Sequence, residues 1–267
     1  MIRKTSKTKT PSPSSPETFN VLSYNIHQGK TARRQQLSLA LLKEAIKGLG
    51  ADLVLLQEVA GSTKPSGGPA DIERAYQLEE LADEIWPYFA YQKNSAFTGG
   101  YHGNAILSKY PIVNWHKLNI TVPGMKIRGA LHGEIAVPGW RTHLHVMATH
   151  LGLLQYERHR QTRKLCQYVL SHIPASARVI LGGDFNDWRE HVSDKVEKDL
   201  SMNEAFMSHN ARHARTFPSR MPMLPLDRIY YRGFQVSSAQ ILKGKPWSLL
   251  SDHLPVMAQF SLKSDSE

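Results

Sequence analysis

Cysteine is almost missing from this chain. Cys166 is the only one among 267 residues, which excludes an intramolecular disulfide and a cysteine-based zinc site. Long apolar runs are missing too: no stretch is long enough to cross a bilayer. The start, Met1-Ile2-Arg3-Lys4, is basic, but no apolar segment follows it, so no Sec-type signal peptide is expected and a cytoplasmic location is the default. Acidic side chains are in deficit, 23 against 33 basic ones, for a formal charge of +10. A basic surface speeds encounters with polyanions such as nucleic acid or anionic lipid. The same charge also serves solubility. Residues 1–18 contain almost no large apolar groups and are rich in Lys, Thr, Ser and Pro. They cannot bury enough surface to order themselves, so a flexible basic tail is expected.

From residue 19 to 267 the pattern is that of one folded domain, with no linker and no internal repeat. The hydrophobic share, 41%, is ordinary for a globular protein. Phe19–Ile26 reads as a strand. Leu39, Leu42, Ile46 and Leu49 follow at helical spacing, and Gly50 ends that helix. Leu53–Leu56 is a short apolar run and reads as a buried strand. A second helix is expected from Asp71 to Pro87, with Leu78, Leu81, Ala82 and Ile85 on one face. Strands are then expected near 88–92, 103–108, 112–120, 127–137 and 142–149. A helix over 156–172 and a buried strand at 178–183 come next, then strands near 227–231, 234–242 and 255–261. Many strands with few helices predict an α/β fold of two packed sheets with helices on the outer faces. The units 19–56 and 142–183 should be parallel crossovers.

Polar residues interrupt these strands at their ends. Asn25, Glu58, His150 and Asp184 stand at C-terminal ends; Asp227 and Asp252-His253 stand at starts. If the last two strands run antiparallel to the other four, all these groups meet on one edge. Such a cluster suits phosphodiester hydrolysis. A hard divalent cation offsets the substrate's negative charge, and Mg²⁺ takes oxygen ligands of the kind Glu58, Asn25 and Asp252 offer. Histidines move protons near neutral pH, and an aspartate such as Asp227 can fix a histidine tautomer.

These residues lie in segments that resemble the endonuclease/exonuclease/phosphatase superfamily. The segments are Leu-Ser-Tyr-Asn25, Leu-Leu-Gln57-Glu58, Gly103-Asn104-Ala-Ile-Leu-Ser108, Thr149-His150-Leu151, Gly183-Asp184-Phe185-Asn186, Leu226-Asp227-Arg228-Ile229 and Ser251-Asp252-His253. They span nearly the whole chain after the tail, in the family's order, and the chain is similar to small bacterial members. The resemblance implies a four-layered α/β/β/α sandwich and Mg²⁺ (or Mn²⁺). It makes Glu58 the principal metal ligand, with Asn25 and Asp252 near the metal. Asn186 would hold the scissile phosphate. Asp184 and His253 would orient and deprotonate the attacking water, with Asp227 supporting His253. His150 would bind phosphate and stabilise the transition state, or protonate the leaving oxygen. Asn104 and Arg128 are further phosphate contacts; a guanidinium can grip phosphate bidentately. Abasic-site endonucleases carry a tyrosine where this chain has His150, so it looks more like the deoxyribonuclease, sphingomyelinase and phosphatase branches.

The expected activity is metal-assisted hydrolysis of a phosphodiester, with nucleic acid as the substrate the net charge favours. A lipid or small-molecule phosphoester, or a membrane surface, is the alternative, suggested by an apolar rim at Met221, Met223 and Leu224. A catalytically silent module binding nucleic acid or membrane is a second alternative. No obligate protein partner is evident. Cys166 is read as core packing rather than a nucleophile. Among the other histidines, His102 adjoins a motif. Trp188, four residues after Asp184, is placed near the site, while Trp115, Trp140 and Trp247 are read as packing. The loop 60–70 and the stretch 211–225 should border the cleft, where Arg212, Arg215 and Arg220 are candidate phosphate contacts.

Overall fold

In the computed structural model the described residues are 16–29, 39–62, 81–82, 86–97 and 100–263. The first sheet holds β1 (Thr18–Asn25), β2 (Leu53–Ser62), β3 (Tyr88–Phe97), β4 (Gly100–Ser108), β11 (Phe234–Ile241) and β12 (Val256–Leu262), in the order β11-β12-β1-β2-β4-β3. The second holds β5 (Ile112–Asn119), β6 (Gly129–Ile135), β7 (Leu144–His150), β8 (Val179–Asp184), β9 (Asn203–Glu204) and β10 (Asp227–Arg232), in the order β5-β6-β7-β8-β10-β9. Both sheets are mixed. β1 runs parallel to β2, and β7 parallel to β8, as the two crossovers require.

The helices whose bounds lie among the described residues are α1 (Leu39–Lys47), α2 (Gln155–His172), α3 (His191–Leu200), α4 (Ala205–Asn210) and α5 (Trp247–Leu250), and they flank the sheets. The layering follows from side-chain alternation along each strand. In β2, Leu53 and Leu55 face the core between the sheets, whereas Val54 and Leu56 face Leu42 and Ile46 of α1. In β8, Ile180 joins the inter-sheet core; Val179 and Leu181 pack with Leu165 and Val169 of α2 and with Val192 and Val196 of α3. Strands covered on both faces are apolar throughout, which is why both runs lack polar alternation. The result is the expected four-layered sandwich.

The structure corrects several expectations. β2 does not end before Glu58. It continues to Ser62 through a bulge between Leu56 and Val59, and Glu58 sits inside that bulge at φ 56. The bulge turns the carboxylate out of the sheet's pleat, as bulges next to sites do. α3, α4, α5 and β9 were not expected, although Val192, Val196 and Leu200 lie one helical turn apart and are buried. Of the second expected helix, Leu81 and Ala82 are helical and buried, Trp86 is buried just beyond the helical residues, and residues 71–80 and 83–85 lie outside the described residues. So do residues 1–15 of the expected tail and residues 63–70 of the expected loop. Cys166 is buried within α2, and burial pushes its thiol up to about 11, in keeping with packing rather than nucleophilic chemistry.

Candidate active site

Strand register assembles the cluster. His150 is directly opposite Asp184, and Asp184 is directly opposite Asp227, so three adjacent strands deliver three functional side chains in one row. β10 runs antiparallel to β8, which brings the start of one strand to the end of the other. β12 runs antiparallel to β1, so Asp252 and His253, just before β12, arrive beside the end of β1. The Ser251 hydroxyl donates to the Asn25 carbonyl at 2.8 Å and fixes that approach. The conditional expectation that these groups share one edge is thus met.

Asp184 is the hub. Its Oδ2 accepts from Asn25 Nδ2 at 3.0 Å, and lies 3.4 Å from His150 Nε2 and 3.7 Å from His253 Nε2. Its Oδ1 accepts the Asn186 backbone N–H at 3.0 Å. Asn186 Nδ2 donates to the Leu151 carbonyl at 3.0 Å and lies 3.3 Å from His150 Nε2. His253 Nδ1 pairs with Asp227 Oδ2 at 2.8 Å, and the same oxygen accepts from Thr216 Oγ1 at 2.5 Å. Arg128 Nη1 lies 3.3 Å from His150 Nδ1. A guanidinium only donates, so His150 Nδ1 accepts and its proton resides on Nε2, facing Asp184.

Burial and neighbouring charges set the protonation states. Burial pushes the Asp184 carboxyl up to about 7, against the opposing pull of His253. Burial works to lower His253, but Asp227 and Asp184 overcome it and raise the imidazole to about 10. His150 falls well below the usual histidine range, first through burial and then through Arg128 and His253. At neutral pH the site therefore holds a cationic His253, a neutral His150 whose Nε2 faces Asp184, and a carboxyl poised near its midpoint.

Glu58, Asn25 and Asp252 gather around a short 3-10 turn, His27–Gly29. Gln28 Nε2 donates to Glu58 Oε2 at 3.3 Å, Asn25 Oδ1 accepts the His27 N–H at 3.0 Å, and His27 Nδ1 lies 3.5 Å from Asp252 Oδ1. Glu58 Oε1 is 4.0 Å from His150 Nδ1. Among the described residues neither Glu58 nor Asp252 has a lysine or arginine partner. Two under-compensated carboxylates beside an amide oxygen fit a hard divalent cation. Asp184, Asp227 and His253 also bring ligand atoms within 4.8 Å of one another. Both the Asp227 Oδ2 and the His253 Nδ1 of that trio are engaged with each other, however, so the Glu58 side suits a metal better. His27, Gln28, Glu58 and Asn186 all have positive φ, a concentration of backbone strain at one place.

Arg128 is buried, and among the described residues its Nε finds no hydrogen-bond partner, which leaves a donor for an anion. Asn104 stands apart. It is fully buried, and its Nδ2 donates to the Gly129 carbonyl at 2.8 Å, tying β4 to the strand that follows Arg128. His102 lies within electrostatic reach of Glu58 and Arg128.

Sequence reasoning missed the residues that hold this geometry. Arg228 is fully buried and donates to Asp187 Oδ2 at 3.1 Å and to the Asp187 carbonyl at 2.7 Å. Arg158 Nε approaches Asp187 Oδ1 at 3.7 Å, its Nη1 donates to the Leu153 carbonyl, and its guanidinium lies 4.7 Å over the Trp188 ring. Asp187 thus clamps the loop after Asn186 between two arginines. Arg228 stands inside one of the family-like segments and Asp187 directly follows another, a signal that was there to be read; Thr216 had none. At Gly183 an added Cβ would come 2.0 Å from the Thr149 carbonyl oxygen, so the strand carrying Asp184 can approach β7 only through a glycine.

The fold and this cluster define a phosphoesterase of the endonuclease/exonuclease/phosphatase class. The Endonuclease/Exonuclease/phosphatase family matches residues 18–253, and the chain belongs to that family. It is 38% identical over 247 residues to the uncharacterized protein YbhP of Escherichia coli (strain K12), covering 91% of this chain and 96% of that protein. The crystal structure of an endonuclease/exonuclease/phosphatase from Beutenbergia cavernae matches 92% of this chain and 72% of its own, with a TM-score of 0.73 and 19% identity. Danio rerio TDP2, complexed with a single-strand DNA product, matches 92% of this chain and all of its own, with a TM-score of 0.65 and 17% identity. Enzymes of this family generally depend on divalent metal. No helix among the described residues is long and apolar enough to cross a membrane.

Proposed function

We propose that this protein hydrolyses phosphodiesters with Mg²⁺ or Mn²⁺. The observation that carries this reading is the placement of two imidazoles, His150 and His253, 3.4 and 3.7 Å from one carboxylate oxygen of Asp184. Glu58, with Asn25 and Asp252, would hold the metal, which when bound neutralises phosphate charge and polarises the phosphoryl oxygen. Asp184, raised to about 7, is suited to accept a proton from the attacking water near neutral pH. His253, held cationic by Asp227, stabilises negative charge growing on the phosphoryl group. His150 is kept neutral and offers its Nε2–H as a phosphate contact; that state favours hydrogen bonding over protonation of the leaving oxygen. Asn186 and Arg128 add donors to the same phosphate. Asn104 contributes by holding the strand that follows Arg128.

Nucleic acid is the first substrate class, supported by the charge of +10. The TDP2 complex shares the fold alone and only shows that such a scaffold can hold single-stranded DNA. A lipid phosphodiester is the second, favoured by Met221 and Met223, which stand 63% and 52% exposed beside the site's loops. The test is turnover of plasmid DNA, a single-stranded and an abasic oligonucleotide, and lipid phosphodiesters, first with Mg²⁺ and then with EDTA. Turnover of any of them that EDTA abolishes supports the reading. Tight binding without turnover of any phosphoester would leave a silent binding module instead.

A further inference from the structure

Among the described residues, six of the fifteen exposed large apolar side chains stand in segments next to the catalytic residues. Leu153 and Leu154 follow His150, Trp188 follows Asn186, Met221 and Met223 precede Asp227, and Leu249 precedes Asp252; they are between 40% and 63% exposed. They belong to four separate loops or short helices, which one arginine and two adjoining clefts bring near one another. Arg158 links the Leu153 carbonyl to the Trp188 ring. Trp188 and Met223 line one cleft of about 750 Å³, which contains none of the catalytic side chains. That cleft shares Pro222 and Lys243 with a neighbouring hollow that reaches Ser248 and Leu254, next to Leu249 and His253. Cations are interleaved with this band: Arg212, Arg215 and Lys243 on the cleft and Arg220 on the hollow, against the single carboxylate of Glu190.

We propose that this rim docks onto an anionic phospholipid surface and presents the catalytic edge to lipid phosphodiesters. The inference rests on the phosphodiesterase reading and chooses between its two substrate classes. Leucine and methionine side chains have no π-face on which a base can stack, so they add little to a nucleic-acid track. At the boundary between headgroups and acyl chains they are buried, tryptophan is at home there, and lysines and arginines reach the headgroups. An aliphatic band of this kind, rimmed by charge, marks an interaction site rather than scattered exposure. The four cations against one acid select an anionic surface over a zwitterionic one.

The test uses the full chain in EDTA, so that binding is read without turnover. Flotation is compared on vesicles of equal parts phosphatidylglycerol and phosphatidylcholine, and on phosphatidylcholine alone. Partitioning should be at least about tenfold stronger on the anionic vesicles, and replacing Arg212 and Arg220 by alanine should weaken it about fivefold per cation. Leu153→Glu with Leu154→Glu should lower it by at least about tenfold, because two charges would enter the acyl boundary. That double variant should still hydrolyse bis(p-nitrophenyl) phosphate with Mg²⁺ at the parent rate, which shows that it folds. Failure to float, or flotation unchanged by the glutamates, overturns the docking proposal. So does a single-stranded oligonucleotide that displaces the protein from vesicles at an affinity the glutamates leave untouched. Failure of the phosphodiesterase reading looks different: the soluble diester is not turned over, whatever the vesicles show.

Discussion

Asp227→Asn isolates the electrostatic core of the proposed mechanism. In the parent protein Asp227 Oδ2 sits 2.8 Å from His253 Nδ1, with both side chains buried. His253 is raised from 6.5 to about 10, with Asp227 the largest favourable cause. At ~1.4 kcal/mol per unit, that is roughly 5 kcal/mol of preference for the imidazolium. An amide at position 227 keeps the shape and removes the charge. Burial then acts against the cation with only Asp184 and Asp252 opposing it, and the His253 value falls well below about 10. The positive charge facing the phosphate is weakened, and kcat at pH 7 should drop about 10²- to 10⁴-fold. The parent's kcat should rise through about 7 as Asp184 ionises and fall near 10 as His253 loses its proton. In the variant the alkaline limb should move to lower pH. Stability gives an independent check. A group whose folded value is raised stabilises fully below its unfolded value and loses that contribution as pH rises through the folded one. The parent's Tm should therefore decline between pH 6.5 and about 10 on account of His253. The variant should lack that slope and melt roughly 10 °C lower at pH 6. A variant that keeps kcat within about threefold and shows the parent's Tm profile would refute the pairing.

Glu58→Ala should cut Mg²⁺-dependent turnover at least about 100-fold and abolish the heat of Mg²⁺ binding in calorimetry, with the far-ultraviolet dichroism unchanged; retained Mg²⁺ affinity would move the metal elsewhere. Asp187→Ala leaves Arg228 buried without its carboxylate and should cost about 3–5 kcal/mol in urea unfolding, whereas Asp187→Leu with Arg228→Met should recover most of it. On the outer face of the second sheet, burial and then His145 hold His132 down to about 4. Its contribution is present above 6.5 and is lost as pH falls toward 4, by up to roughly 2 kcal/mol at pH 5. His132→Gln should flatten the acid side of the Tm profile; an unchanged profile would show that His132 takes up its proton equally in the folded and unfolded chain and would refute its lowering by burial.

Much of the architecture was legible because its signals are local. Continuous apolar runs such as Val179–Leu181 mark strands covered on both faces, and all four layers follow from them. Short elements escaped for the converse reason. α5 spans four residues, Trp247–Leu250, and β9 only two, Asn203–Glu204, too few for any period to show. Glu58 shows a different limit. A bulge depends on the pairing between β2 and β4, so Leu53–Leu56 alone could not say that the strand continues past it.

By itself the sequence determined which chemical groups are available and that they stand at strand ends: carboxylates, amides and two imidazoles in an order resembling a phosphoesterase. Only the tertiary structure decided which of them touch, and hence their charge. His150 and His253 are the same residue type, yet one is driven neutral beside Arg128 and the other cationic beside Asp227. The composition of the chain contains no trace of that difference. It arises because buried charges interact strongly across strands distant in sequence, and the identity of the neighbour sets the proton's affinity.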